Sequence, residues 1–314
     1  LVLAGIVISA FGLLCASQAY AFWQLVLCFG FGIGLGIGCC YVPALSAALA
    51  WFPHRRGMVS GFVASGIGVG TLLVPIATDR LIHAEGWRMA FVGLALLTLL
   101  GGGAAALLIR RPTSPLAVDQ CPLFTGRLLA GIKTRQFQLI FGAGLFASLG
   151  YQLPFAHIVD YAEQKGIPDA TSVTLLGLIG VGSIAGRLLG WVGDWFGSRR
   201  ALAGFLFATT AALAYWPLAQ TPFQIGIFTL LFGACYGGIV ALTSPLVGEH
   251  LPGSQAGGLS SFLGLCLSSV GIGSFVGPPA ASFIHDVCNS YTMPIYAGVL
   301  FTFLSAILVL LLPE

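Results

Sequence analysis

The stretch Ser183-Ile184-Ala185-Gly186-Arg187-Leu188-Leu189-Gly190-Trp191-Val192-Gly193-Asp194-Trp195-Phe196-Gly197-Ser198-Arg199-Arg200 decides the architecture. It ends an apolar run that begins at Ser172 and closes on two arginines before the next run opens at Ala201. One cation, Arg187, lies inside the apolar part. On a continuous helix it would sit about 10 Å deeper than Asp194. Two apolar segments joined by a short turn of Asp, Gly and Arg read as two bilayer crossings with a tight loop between them.

Working outward, the same pattern recurs along the chain. Apolar runs near the length of a crossing occupy Leu1 to Gln18, Ala21 to Ala50, Gly57 to Leu81, Trp87 to Ile109 and Phe137 to Val159. They continue at Ser172 to Val192, Ala201 to Ala219, Phe223 to Val247, Ala256 to Ile284 and Tyr291 to Leu312. Composition agrees: 57% of residues are hydrophobic and 7% charged, against about 25% charged in soluble domains. Such a chain cannot clothe a surface in water, so the expected partner is the lipid bilayer. The net charge of +3 is scattered, which excludes a nucleic-acid binder. Cys15, Cys28, Cys39, Cys40, Cys121, Cys235, Cys266 and Cys288 form no CxxC pair and read as small apolar packing residues. No disulfide, metal or cofactor is expected.

Basic residues fall in alternate loops. Arg55, Arg56, Arg110, Arg111, Arg127, Lys133, Arg135, Arg199 and Arg200 share one side, and Arg80, Arg88 and Lys165 the other. The richer side is cytoplasmic by the positive-inside rule, which puts both ends of this chain in the cytoplasm of a cell-membrane protein. The basic loop 110–136 divides the chain into 1–109 and 137–314, four runs before it and six after. Leu1 opens inside an apolar run with no basic region ahead, which is unlike a secretory signal and reads as a chain whose beginning is missing.

The two parts repeat each other. Cys40-Tyr41 in the second run matches Cys235-Tyr236 in the eighth, and Gly66-Ile67-Gly68 in the third matches Gly271-Ile272-Gly273 in the ninth. Pro75 and Pro278 follow these triplets at similar distances, and with Pro43, Pro154 and Pro245 are expected to break or kink their helices. The glycines of the second run lie four apart in two sets, Gly30, Gly34, Gly38 and Gly32, Gly36, spacings that let helix backbones approach in lipid. A nucleotide-binding reading of that stretch lacks the preceding strand and the following acid.

Gly190 to Arg200 resembles the cytoplasmic loop signature of the major facilitator superfamily, with Gly190, Asp194, Gly197, Arg199 and Arg200 as its matching positions. That resemblance implies an all-α integral membrane fold of twelve helices in two halves, of which about ten are present. Residues 1–109 would hold helices 3 to 6 and residues 137–314 helices 7 to 12, with helices 1 and 2 missing. Trp51-Phe52-Pro53-His54-Arg55-Arg56-Gly57 running to Gly61 and Ser65-Gly66-Ile67-Gly68 is similar to the helix 4–5 signature of the monocarboxylate and oxalate/formate branch, carried on Phe52, Arg55, Arg56 and Gly61. Tyr151-Gln152-Leu153-Pro154-Phe155-Ala156-His157 is similar to helix 7 of bacterial members.

Arg187 is the only Lys or Arg well inside an apolar run. A mid-bilayer arginine costs about 2.5–3.5 kcal/mol on insertion scales and usually faces a cavity. Its planar fork grips a carboxylate with two parallel hydrogen bonds, and in the branch resembled an Arg at this place binds substrate carboxylate. The alternative is structural: residues seven apart share a helix face, so Arg187 would anchor the Asp194 loop. Ser183 stands where animal monocarboxylate carriers have an acid, and the ninth run lacks the lysine of the oxalate exchangers. One cation favours a monocarboxylate over a dicarboxylate. His157 is a candidate substrate or proton ligand, or a packing histidine near the outer end. Tyr151, Gln152, Tyr41 and Tyr236 are candidate pathway residues, or buried tyrosines and amides with one polar partner each. His54, Arg55 and Arg56 read as a cytoplasmic surface and gate element.

The expected function is a secondary transporter of a small organic anion by alternating access, with proton coupling. An anion exchanger of the oxalate/formate type, a transport-incompetent fragment and a sensor on the same fold are the alternatives. An enzyme is not expected: no HExxH, no paired aspartates in the runs and no nucleophile beside a base occur.

Overall fold

The computed structural model describes residues 1–52, 55–108, 131–251 and 259–313, and every regular element in them is helical. His54 and most of the 110–136 loop lie outside the described residues. Ten rods follow in order. The first, α1, is Val2–Ser17, and α2 runs over 22–51 as Phe22–Leu27, a π-helical stretch Cys28–Ile33 and Gly34–Trp51. Next come α3, Arg56–Glu85, and α4, Trp87–Leu108, which contains a second π-helical stretch, Thr98–Gly102. The remainder are α5 Arg135–Gln164, α6 Asp169–Leu188, α7 Ser198–Tyr215, α8 Pro222–His250, α9 Leu259–Cys288 and α10 Thr292–Leu310. A short helix, Trp191–Phe196, joins α6 to α7. Among the described residues nine helices are long and apolar enough to cross a bilayer, and α1, apolar but 16 residues long, is the shorter tenth. The chain is an all-α, multi-pass membrane protein.

Local chemistry explains the ends. Thr134 Oγ1 accepts from the Phe137 N–H at 3.3 Å and starts α5. Thr221 and Gln224 form a reciprocal capping box at the start of α8, where Pro222 supplies a preset φ. Gly197, at φ +84°, makes the left-handed turn into α7. Pro43, Pro154, Pro245 and Pro278 do not break their helices: each lies inside a continuous one. Two π-helical stretches occur among the described residues, both within or beside glycine-rich sequence.

By packing, Leu1–Trp51 and the chain from Gly70 through α4 form one unit, while Phe52–Val69 joins α5 to α10 in another. In the first unit α1 crosses α2 where Gly12 meets Gly32 and where Gly5 and Ser9 meet Gly36 and Cys40. Among the described residues only the Gly32 and Gly36 set meets α1: a Cβ on Gly30, Gly34 or Gly38 would meet nothing within 4 Å. At the α1–α2 turn, Arg88 donates from Nη2 to the Ala19 carbonyl at 3.1 Å, its guanidinium 4.7 Å from the Trp87 ring.

In the second unit α6 and α8 touch backbone to backbone. A Cβ on Gly182, Gly186, Gly233 or Gly237 would overlap a carbonyl of the facing helix. With no hydrophobic drive between helices in lipid, such close approach and buried side-chain hydrogen bonds supply the cohesion. Examples of the latter are Ser305 Oγ to the Ala143 carbonyl at 2.8 Å and Thr210 to Thr302 at 3.0 Å. The two repeat triplets are used alike: Gly68 packs on Ile184 and Gly273 on Ser148, while Gly66 and Gly271 face open space.

Candidate functional site

Arg187 lies in the last turn of α6 and is 1% exposed, the only buried Lys or Arg among the described residues. Close packing of α6 on α8 sets its position, since Gly237 of α8 sits against the Ser183 carbonyl and, as a Cβ, would be 2.8 Å from the Arg187 N–H nitrogen. Nη1 donates to Ser183 Oγ, one turn back on the same helix. The guanidinium carbon lies 5.6 Å from the centre of the Tyr236 ring, a cation–π distance. From α3, Gly61 abuts the Arg187 carbonyl, and a Cβ on Gly68 would come 3.1 Å from Nη1.

The helix does not continue through to Asp194. It stops at Leu188, and Gly190, Val192 and Gly193 make tighter i→i+3 bonds to Arg187, Leu189 and Gly190 at 3.0, 2.9 and 3.1 Å. The expectation that Arg187 and Asp194 share one helix face is corrected by this break. Its cause is a glycine-to-glycine crossing, Gly57 of α3 on Gly190, with no room for a side chain at either position. Asp194 turns to α3 instead. Its Oδ1 accepts from the Gly57 N–H at 2.8 Å and its Oδ2 from the Met58 N–H at 3.0 Å, two first-turn donors without a partner in their own helix. Arg199 donates to the Leu312 carbonyl at 2.5 Å, Arg200 is exposed, and Ser198 donates to Glu249 at 2.7 Å. Phe52 and Arg55 are exposed and Arg56 half-buried.

Tyr151 of α5 is 4% exposed, its ring 5.1 Å from that of Tyr236, and Phe155 lies 4.9 Å from Tyr236 on the same side of the packing. Arg187, Tyr236 and Tyr151 thus form one connected group. Gln152 points to α9 and donates to Ser274 at 2.8 Å. His157, 6% exposed, lies five residues further along α5, where Nε2 donates to the Pro278 carbonyl at 3.3 Å. Tyr41 belongs to the other packing unit, half-buried in α2. A cavity of about 40 Å³ adjoins Tyr151, walled also by Ile239, Thr243, Cys266 and Val270. It has room for about one water, and Arg187 is not among its walls. Sequence reasoning missed Ser183 as the partner of Arg187, for which the four-residue spacing on one helix was the available signal, and the Asp194 carboxylate cap on α3, for which there was none.

Comparison with known proteins extends this description. Residues 1–271 match the family described as the Major Facilitator Superfamily. The chain is 29% identical over 306 residues to the MFS transporter asaE of Aspergillus flavus, covering 96% of this chain and 68% of that protein. It is 28% identical to the fujikurins efflux protein of Gibberella fujikuroi, covering 98% and 66%, and 28% identical to human monocarboxylate transporter 11, covering 93% and 64%. The chain thus spans about two thirds of the length of these relatives. Among solved structures, FucP in the outward conformation superposes with a TM-score of 0.78 at 13% identity, over 100% of this chain and 82% of that one. The E. coli fucose:proton symporter FucP (N162A) gives 0.76 at 14%, over 100% and 83%.

Proposed function

Because the chain belongs to the major facilitator superfamily, we infer that it is a secondary transporter of a small organic anion, a monocarboxylate above all, in the cell membrane with both ends of this chain on the cytoplasmic side. The carrying observation is Arg187, a guanidinium buried in helix packing beside Tyr236 and Tyr151. Burying that charge in lipid-surrounded protein costs energy that an incoming carboxylate offsets, and the planar fork fits a carboxylate with two bonds. Similarity to a protein named monocarboxylate transporter 11 supports the same class of cargo.

Arg187 is closed over by Gly61 and Gly68 of α3, and the 40 Å³ cavity beside Tyr151 is too small for an organic anion. Admission of substrate therefore needs α3 to move off α6. The Gly57–Gly190 crossing and the Asp194 cap are the contacts that such a movement breaks, so they serve as a gate on the Arg199–Arg200 side. His157 supplies a buried imidazole for proton coupling, its Nδ1 without a partner while Nε2 donates to a carbonyl.

Proteoliposomes carrying the protein test the reading with labelled lactate and pyruvate. Uptake should be saturable, and Arg187→Ala should lower it at least about tenfold while leaving insertion intact. Equal uptake by the variant would return Arg187 to a structural role, and no uptake by either would remove the anion-carrier reading.

A further inference from the structure

The ends of α5, α9 and α10 away from Arg199 and Arg200 hold a group of titratable side chains that anion binding at Arg187 leaves unused. Asp160 and Gln164 come from α5, His285 and Asp286 from α9, and Tyr291 from the residue before α10. Tyr291, 7% exposed, is the centre. The His285 ring stacks on it at 4.1 Å with 27° between the planes, and the His157 ring lies 5.5 Å away. Gln164 Nε2 is 3.1 Å from His285 Nε2, and His285 Nδ1 is 3.5 Å from Asp286 Oδ1. Burial, then the Asp160 and Asp286 carboxylates and a hydrogen bond to Asp160, push the Tyr291 hydroxyl above its ordinary pKa, which records both negative charges at this ring. Lys165, the residue after α5, donates to Gln220 at 2.9 Å and lies 5.6 Å from the Tyr161 ring, while Glu163 is exposed. Two imidazoles and two carboxylates therefore surround one tyrosine.

Chemistry gives the direction of the response. Neutral His285 accepts the Gln164 amide N–H at Nε2 and turns Nδ1–H to Asp286. A second proton makes both ring nitrogens donors, and the Gln164 amide turns over to present its oxygen. The imidazolium then stacks on the Tyr291 face, pairs with Asp286 and is attracted by Asp160. The Tyr291 stacking joins the start of α10 to α9 and the Asp160 attraction joins α5 to α9, while the Asp286 pair lies within α9 and fixes the imidazolium's orientation. A side chain 20% exposed is reachable by protons from the medium.

We propose that this cluster is a proton-binding site, with His285 as the group that takes the proton, and that its protonation clamps the ends of α5, α9 and α10 together. The clamp itself needs no transport, so the proposal goes beyond the transporter reading and does not rest on it.

Hydrogen exchange of the full chain in lipid nanodiscs, corrected for intrinsic rates, tests it at about pH 8 and pH 5.5, the span over which histidines change charge. Backbone amides of 286–292 should be about fivefold better protected in acid. His285→Gln should abolish that difference. Asp286→Asn alters a carboxylate that is 79% exposed, so it leaves the fold alone, and by removing the partner of the imidazolium it should shrink the protection difference between the two pH values. Equal protection at both pH values in the unaltered chain overturns the proposal, as does a pH response that His285→Gln retains. Neither result bears on anion uptake, so failure of the clamp and failure of the transporter reading are separable.

Discussion

Asp194→Asn probes the contact on which the gate depends. The carboxylate spans two backbone donors, Gly57 at 2.8 Å and Met58 at 3.0 Å, at the start of a helix that begins at Arg56. A hydrogen bond to a charged acceptor contributes about 1.5–3 kcal/mol when sheltered, and an anion at a helix N-terminus about 0.3–1 kcal/mol more. The Gly57 bond is partly buried and the Met58 bond exposed, so solvent screening reduces the second sharply. Asparagine keeps one oxygen, loses the charge and turns an NH₂ toward the other donor. The net loss should be about 1.5 kcal/mol, or roughly a tenfold increase in opening of the first turn of α3. Hydrogen exchange of a peptide over 55–62 in nanodiscs measures it, with the capping-box peptide over 221–228 as an internal control. Protection of 55–62 within twofold of the unaltered chain would refute the assignment of Asp194 as the cap of α3.

Glycine substitutions should divide sharply by position. Gly186→Val drives a side chain into the backbone of Ala234 and should cost about 3 kcal/mol or more, read as loss of monodisperse protein on gel filtration. Gly34→Ala meets nothing within 4 Å and should stabilise the protein slightly, by up to about 1 kcal/mol of helix propensity, seen as an equal or higher Tm. Thr221→Ala removes one half of the α8 capping box and should cost about 1 kcal/mol, measured as a Tm decrease that Thr221→Ser does not reproduce.

The helical rods were legible because lipid leaves a chain few choices. Backbone groups that water cannot reach must be satisfied within a helix, so ten apolar runs become ten rods at nearly the positions read from the sequence. Family membership was legible in the same way, through the Gly190 to Arg200 loop, and so was the singular position of Arg187 among the cations. Glycine spacing was legible only as a tendency. Gly30, Gly34 and Gly38 have the same periodicity as Gly32 and Gly36, yet only the second set meets α1.

What the sequence determined alone follows from free energies local to one segment: which stretches are helical and lipid-sheltered, and which loops carry positive charge. Tertiary structure decided what depends on a neighbour from another part of the chain. Gly57 of α3 crosses the chain where α6 stops at Leu188, the first turn of α3 claims the Asp194 carboxylate, Tyr236 of α8 faces the Arg187 guanidinium, and Pro278 accepts from His157 across to α9. Hydrogen bonds and close packing act over a few ångströms, so their partners are set by how helices cross.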